Sequence, residues 1–104
     1  MQKVIRDNKV AVLISHGFGA GWYTWNRDHE VLLFHPKLVE MVENNKQDDI
    51  TEEWVEENLG IKDVSCHGAT DLVIHWIPVG TKFYIEEHDG DETLIDKDYR
   101  YLTA

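Results

Sequence analysis

The residues with the most chemical potential lie together in Ser15–Asn26, SHGFGAGWYTWN, where Gly17, Gly19 and Gly21 alternate with bulkier neighbours and Trp22, Tyr23 and Trp25 follow. Glycine permits positive φ and close backbone approach. Aromatic faces stack on flat groups for about 1 to 3 kcal/mol each, and the backbone N–H groups of such a loop can hold an anion without Lys or Arg. Gly17, Phe18, Gly19, Ala20, Gly21, Trp22, Tyr23 and Trp25 are therefore the expected ligand-binding residues, suited to a small ligand with a ring and a negative group, such as a nucleotide. The alternative use of the same residues is packing. Trp22 and Trp25 are spaced to share one side of a helical turn, and each can bury roughly 150 to 250 Å².

Other chemistries lack their parts. The strand and "HG" loop resemble the oxyanion segment of α/β-hydrolases, but no G-x-S-x-G elbow occurs and the chain is too short for that sheet. The dinucleotide fingerprint fails because Trp22 stands where its third glycine belongs. No Walker A lysine follows either. The six histidines show no H-x-x-x-H spacing and the single cysteine no C-x-x-C, while Cys66 and His67, adjacent in an extended segment, point to opposite faces. The acidic run Glu86–Glu92 lacks the ligand spacing of an EF-hand loop. His75, beside Tyr84 on the outer face of an expected hairpin, can line a site. No catalytic residue, metal ligand or cofactor is assigned.

Charge narrows the partners. Ten Lys and Arg stand against twenty Asp and Glu, a net charge of -10, which opposes direct binding to phosphate backbones because that binding rests on Lys and Arg displacing counterions. The carboxylates Glu52, Glu53, Glu56 and Glu57 instead offer a face to a basic protein.

The elements that must position these groups follow an α+β order. A single domain over 1–104 is expected, with an antiparallel or mixed sheet ending in a β-meander and covered by two or three helices. Lys9–Ser15, KVAVLIS, reads as a buried central strand, and Val31–Leu33 as a short helical turn or, alternatively, a strand. Pro36 suits the first turn of a helix that buries Leu38, Val39, Met41 and Val42 and closes at Asn44 and Asn45. Thr51 is an N-cap, Glu52 and Glu53 complement the helix dipole, and Gly60 stops the second helix. Leu72–Ile77 and Thr81–Glu87 flank PVGT as a hairpin pairing Trp76 with Phe83, Ile74 with Ile85 and His75 with Tyr84. "HDGDE" makes a second turn before Thr93–Ile95, and Tyr99–Leu102 adds a last short strand.

Taken together, KVAVLIS, GFGAGW, TWN, LVEMVENN, DLVIHWIPVGTKFYIEEHDGDE and the terminal YLTA resemble a family of small proteins of tailed bacteriophages. The similarity spans nearly the whole chain, and its specific parts are the glycine-aromatic loop and GTKFYIEE with its DG turn. The resemblance implies a phage setting and a compact fold. It transfers no catalytic residue, and it implies variation at His16.

Two readings of function follow. One is a non-enzymatic module whose loop holds a nucleotide-like ligand or signal; the other is an acidic, host-directed inhibitor docking on a basic protein. A small structural or assembly protein is a third. No N-terminal stretch reads as a signal peptide or membrane span, and the single cysteine fits a reducing compartment, so the host cytoplasm is expected. Val73, His75, Ile77 and Tyr84 can form a homo-oligomer interface.

Overall fold

Lys9–Ser15 is apolar on both faces, so it needs cover on both sides to be stable. The computed structural model, which describes residues 2–96 and 102–104, supplies that cover. In strand β2 (Lys9–Ser15) every residue from Val10 onward is buried. Strand β1 (Ile5–Arg6) pairs with it antiparallel through Ile5↔Val10 and Arg6↔Lys9. The connecting turn places Asp7 and Asn8 at φ 52° and 65°, the left-handed pair that matches the twist of a two-residue hairpin. The polar composition of Gln2–Asn8 conceals this hairpin, and Asp-Asn is its one local signal. On the other edge, strand β3 (Leu72–Pro78) pairs antiparallel along the full length of β2, from Lys9↔Pro78 to Ser15↔Leu72.

A second sheet holds β4 (Lys82–His88), β5 (Asp91–Ile95) and β6 (Leu102–Thr103) in the order β5-β4-β6, again antiparallel. The β4–β5 turn is Asp89-Gly90, with φ 52° and 92°, as the DG signal predicts. Leu102 pairs with Phe83, whereas Tyr99, Arg100 and Tyr101 of the expected last strand lie outside the described residues.

The expected β3–β4 hairpin is corrected. Trp76 pairs with Ala11, Ile74 with Leu13 and His75 with Val12, while β4 pairs with β5 and β6. Gly80, at φ 87°, donates its N–H to the Ala104 carbonyl, and Val79 donates to that of Asn8. These bonds turn Pro78–Thr81 into a corner between the two sheets. Alternation fixes which residues share a face, and it fits any strand of the same period; the doubly buried β2 is the partner that takes β3. The C-terminal strands consequently form no consecutive meander, since β6 returns to the far edge of β4.

Helix α1 (Pro36–Glu43) packs on β3 and buries Leu38, Val39 and Val42. Helix α2 (Glu52–Leu59) buries Val55, with Trp54 and Leu59 partly covered. Thr51 caps it by accepting the Trp54 N–H at 3.2 Å, and Gly60 ends it at φ 73°. Short 3-10 turns over Tyr23–Trp25 and Glu30–Leu33 link β2 to α1. Phe34 meets Phe83 edge to face at 6.4 Å, joining the helical segment to the second sheet. Among the described residues no helix is long and apolar enough to cross a membrane.

The cap of α1 is the imidazole of His35, whose Nδ1 accepts the Lys37 N–H at 3.1 Å. Burial, and then Lys37, hold this imidazole below its ordinary value. A depressed value contributes stability above the unfolded value, near 6.5, and the contribution is lost as pH falls through the folded value, when protonated Nδ1 can no longer accept. Lowering the pH from 7.5 to 5 should weaken the start of α1 by about 1 kcal/mol, the usual worth of a cap. The protection factors of the Lys37–Val39 amides, which remove the intrinsic pH dependence of exchange, should fall in that interval, and His35→Asn should abolish that fall; an equal fall in the variant would contradict the cap.

Candidate functional site

The glycine-aromatic loop leaves the end of β2 and closes over one side chain, Glu92. This carboxylate is fully buried. Its Oε1 accepts the Ser15 N–H at 2.9 Å, and its Oε2 accepts the Trp22 and Thr24 N–H groups, each at 2.9 Å, and the Thr24 hydroxyl at 2.7 Å. A carboxylate is an acceptor-only group, and here donors from both ends of the loop converge on it. The anion that these backbone donors hold is therefore supplied from within the chain, by β5.

The glycines follow from the same closeness. A Cβ on Gly21 would overlap the Thr24 hydroxyl and Trp25, and one on Gly68 would overlap the Gly21 carbonyl. Gly90, already at positive φ, lies against the backbone of Gly19 and Ala20. The loop is thus wedged between Gly68 and the β4–β5 turn, to which Gly19 also donates its N–H at the Asp89 carbonyl. Ser15 donates its hydroxyl to Gly68 at 2.8 Å, and the buried Asn26 amide bridges the carbonyls of Trp22 and Ser65.

The expected ligand residues divide accordingly. Trp22 is fully buried and donates its indole N–H to Leu32 at 2.8 Å, so its face belongs to the core. Tyr23 is 8% exposed; burial, then Glu30, push its phenol up. Phe18 at the loop tip is 74% exposed and Trp25 is 47% exposed. Gly17, Gly19, Ala20 and Gly21 supply the path between them. Tyr23 also borders an open cleft of about 640 Å³ with Arg27, Tyr84, Glu86, His88 and Leu102.

Two groupings have no counterpart in local spacing. The first is Glu92 itself, which sits among look-alike carboxylates in the acidic run; the one clue is strand parity, because it shares a face of β5 with Leu94. The second unites His16, His75 and Asp91. His75 stands next to His16 rather than Tyr84, with the two Nε2 atoms 2.9 Å apart, and Asp91 Oδ1 is 3.3 Å from His16 Nδ1. Burial, and then His16, hold His75 below the ordinary imidazole value.

The acidic residues of α2 are all in solvent: Glu52, Glu53, Glu56 and Glu57 are exposed, as are Asp48 and Asp49 just before them. Among the described residues their one ion pair is with Lys62, 3.8 Å from Glu56. Under this face burial, then Glu52 and Glu53, push the Cys66 thiol up to about 11, which leaves it a protonated, poorly nucleophilic thiol at neutral pH.

No family model, curated protein or solved structure matches the chain. What its sites can do follows from their own side chains. The loop shows Phe18 and Trp25 to solvent, α2 carries an exposed anionic strip, and the histidine pair brings two ring nitrogens to one point.

Replacing Glu92 by Gln puts an amide N–H₂ where only donors face it, leaving buried N–H groups unsatisfied at about 1 to 3 kcal/mol each. Glu92→Gln should lose roughly 3 kcal/mol in urea unfolding, whereas Thr24→Val, which removes one donor of four, should lose about 1 kcal/mol. Equal, small losses in both would remove Glu92 as the anchor of the loop.

Proposed function

We propose that this protein is an interaction module that docks a basic protein partner on the acidic face of α2. The carrying observation is the arrangement of charge. Glu52 and Glu56, and Glu53 and Glu57, stand at i,i+4 spacing, so the exposed side of the helix carries two columns of carboxylates, and Asp48 and Asp49 are exposed in the 3-10 turn before it. Like charges at that spacing cost a helix about 0.2 to 0.5 kcal/mol per pair, and among the described residues the one ion pair on this face, Lys62 with Glu56, is loose at 3.8 Å and exposed. A helix that needed only solubility would gain by alternating signs. A basic groove relieves the repulsion on binding and is steered toward it by the net charge of -10.

The inhibitor reading of a host-directed phage protein is one form of this docking. A second reading keeps the loop as the site: Phe18 and Trp25 remain available to a flat ligand, while the cleft beside Tyr23, where Glu86, Glu87 and Asp91 outnumber Arg27, adds a concavity but no site for an anionic group.

The test compares two variants of equal charge. One carries Glu52→Gln, Glu53→Gln, Glu56→Gln and Glu57→Gln; the other carries Asp28→Asn, Glu30→Gln, Glu40→Gln and Asp63→Asn, all exposed positions elsewhere. Binding to an arginine-rich helical peptide is measured by fluorescence anisotropy at low and physiological salt. The α2 variant should bind at least tenfold more weakly with its thermal stability nearly unchanged, because the lost i,i+4 repulsion and the lost helix-dipole stabilisation offset each other. Equal loss in both variants would mean that net charge alone attracts the peptide, and the docking face would be withdrawn.

A further inference from the structure

The His16–His75 pair is built like half of a metal centre. His16 follows the last residue of β2, His75 lies in the middle of β3, and Asp91 opens β5, so three strands from both sheets bring these groups together. The ring planes are tilted by 59° with centroids 5.1 Å apart, and it is the Nε2 atoms that meet, at 2.9 Å. The side chain of His16 is 45% exposed, and His75 is half-buried beside it.

Two neutral imidazoles can approach nitrogen to nitrogen because one carries a proton there and the other a lone pair. Asp91 decides which is which. Its Oδ1 lies at Nδ1 of His16, 3.3 Å away, where it accepts that N–H and leaves His16 Nε2 as the lone pair; His75 then donates from its own Nε2. Moving the His75 proton to its other ring nitrogen, with no net proton release, points both lone pairs into the same small volume.

We propose that His16 and His75 bind one divalent transition-metal ion, of the zinc, nickel or copper class, through their Nε2 atoms, with Asp91 as the outer carboxylate that orients His16. Imidazole nitrogen suits these ions, whereas magnesium and calcium take oxygen ligands. At metal–nitrogen distances of about 2.0 to 2.1 Å, two ligands of a tetrahedral ion stand roughly 3.4 Å apart, so the pair opens by about half an ångström, a small swing for partly exposed rings. A carboxylate on the far nitrogen of a ligating histidine is the arrangement that fixes its tautomer and raises its basicity. Among the described residues no third His, Cys, Asp or Glu completes the group. The protein therefore supplies two ligands and leaves the remaining positions to water or an incoming donor. The bound ion would pin the root of the glycine-aromatic loop to β3.

The experiment is equilibrium dialysis of the purified protein against zinc or copper salts alone, with bound metal measured. The wild type should take up one equivalent. His16→Ala and His75→Ala should each weaken binding at least tenfold, Asp91→Asn about tenfold, and His67→Ala not at all. The copper form should show an electron paramagnetic signal with splitting from two imidazole nitrogens. In the unaltered protein, zinc should shift the imidazole nitrogen resonances of His16 and His75 together, a readout that needs no variant to fold. No uptake by the wild type, shifts confined to the other four histidines, or a copper signal with a single nitrogen would each overturn the site.

Discussion

The structure depends on a buried carboxylate. Removing a carboxylate from water costs several kcal/mol unless strong acceptor bonds replace its hydration, and Glu92 finds four donors, three of them main-chain N–H groups. Those donors belong to residues at the start and end of the glycine-aromatic loop, so one side chain from β5 closes the loop on itself and holds it to the end of β2. A loop without regular secondary structure leaves main-chain donors to be satisfied individually. Here an acid of the second sheet satisfies three of them, and the two sheets are coupled through it.

Glycine is the counterpart of that carboxylate. Gly21, Gly68 and Gly90 are the places where the loop, the segment before β3 and the β4–β5 turn come closer than a Cβ allows. Close approach brings the donors within reach of Glu92, and the resulting rigidity fixes which aromatics are seated inside and which are displayed. Trp22 and Tyr23 enter the core, while Phe18 and Trp25 stay accessible at little cost in order.

Acidic groups serve the molecule in distinct ways because a strand alternates its faces. Asp91 and Glu92 are neighbours in sequence, yet Asp91 turns to His16 and Glu92 turns into the loop. Across from Glu92 stands Glu87, a like-charge pair that is unfavourable by itself; the two carboxylates avoid a shared environment because Glu87 takes the N–H groups of Gly90 and Trp25 instead. Among the described residues the carboxylates of α2 meet no such donors, and they remain in solvent, where their repulsion persists.

Elements with local causes are legible in the order of residues alone. Helix α1 begins at Pro36, α2 runs from the Thr51 cap to the left-handed Gly60, and Asp89-Gly90 turns between strands, since each depends on residues within a few positions of one another. The apolar run Val10–Ile14 likewise declared a strand buried on both faces, and the α+β class followed. Long-range packing set the remainder. It sent β3 to β2 instead of β4, because period-two alternation names a face and leaves the neighbour open. It assigned the loop's backbone donors to Glu92, and it placed His16 beside His75, 59 residues away. Free backbone donors were one reading of Gly17–Trp25; that Trp22 and Thr24, with Ser15, give theirs to residue 92 was not legible, because apart from the parity shared with Leu94 nothing separates this carboxylate from its solvated neighbours until the two sheets are folded together.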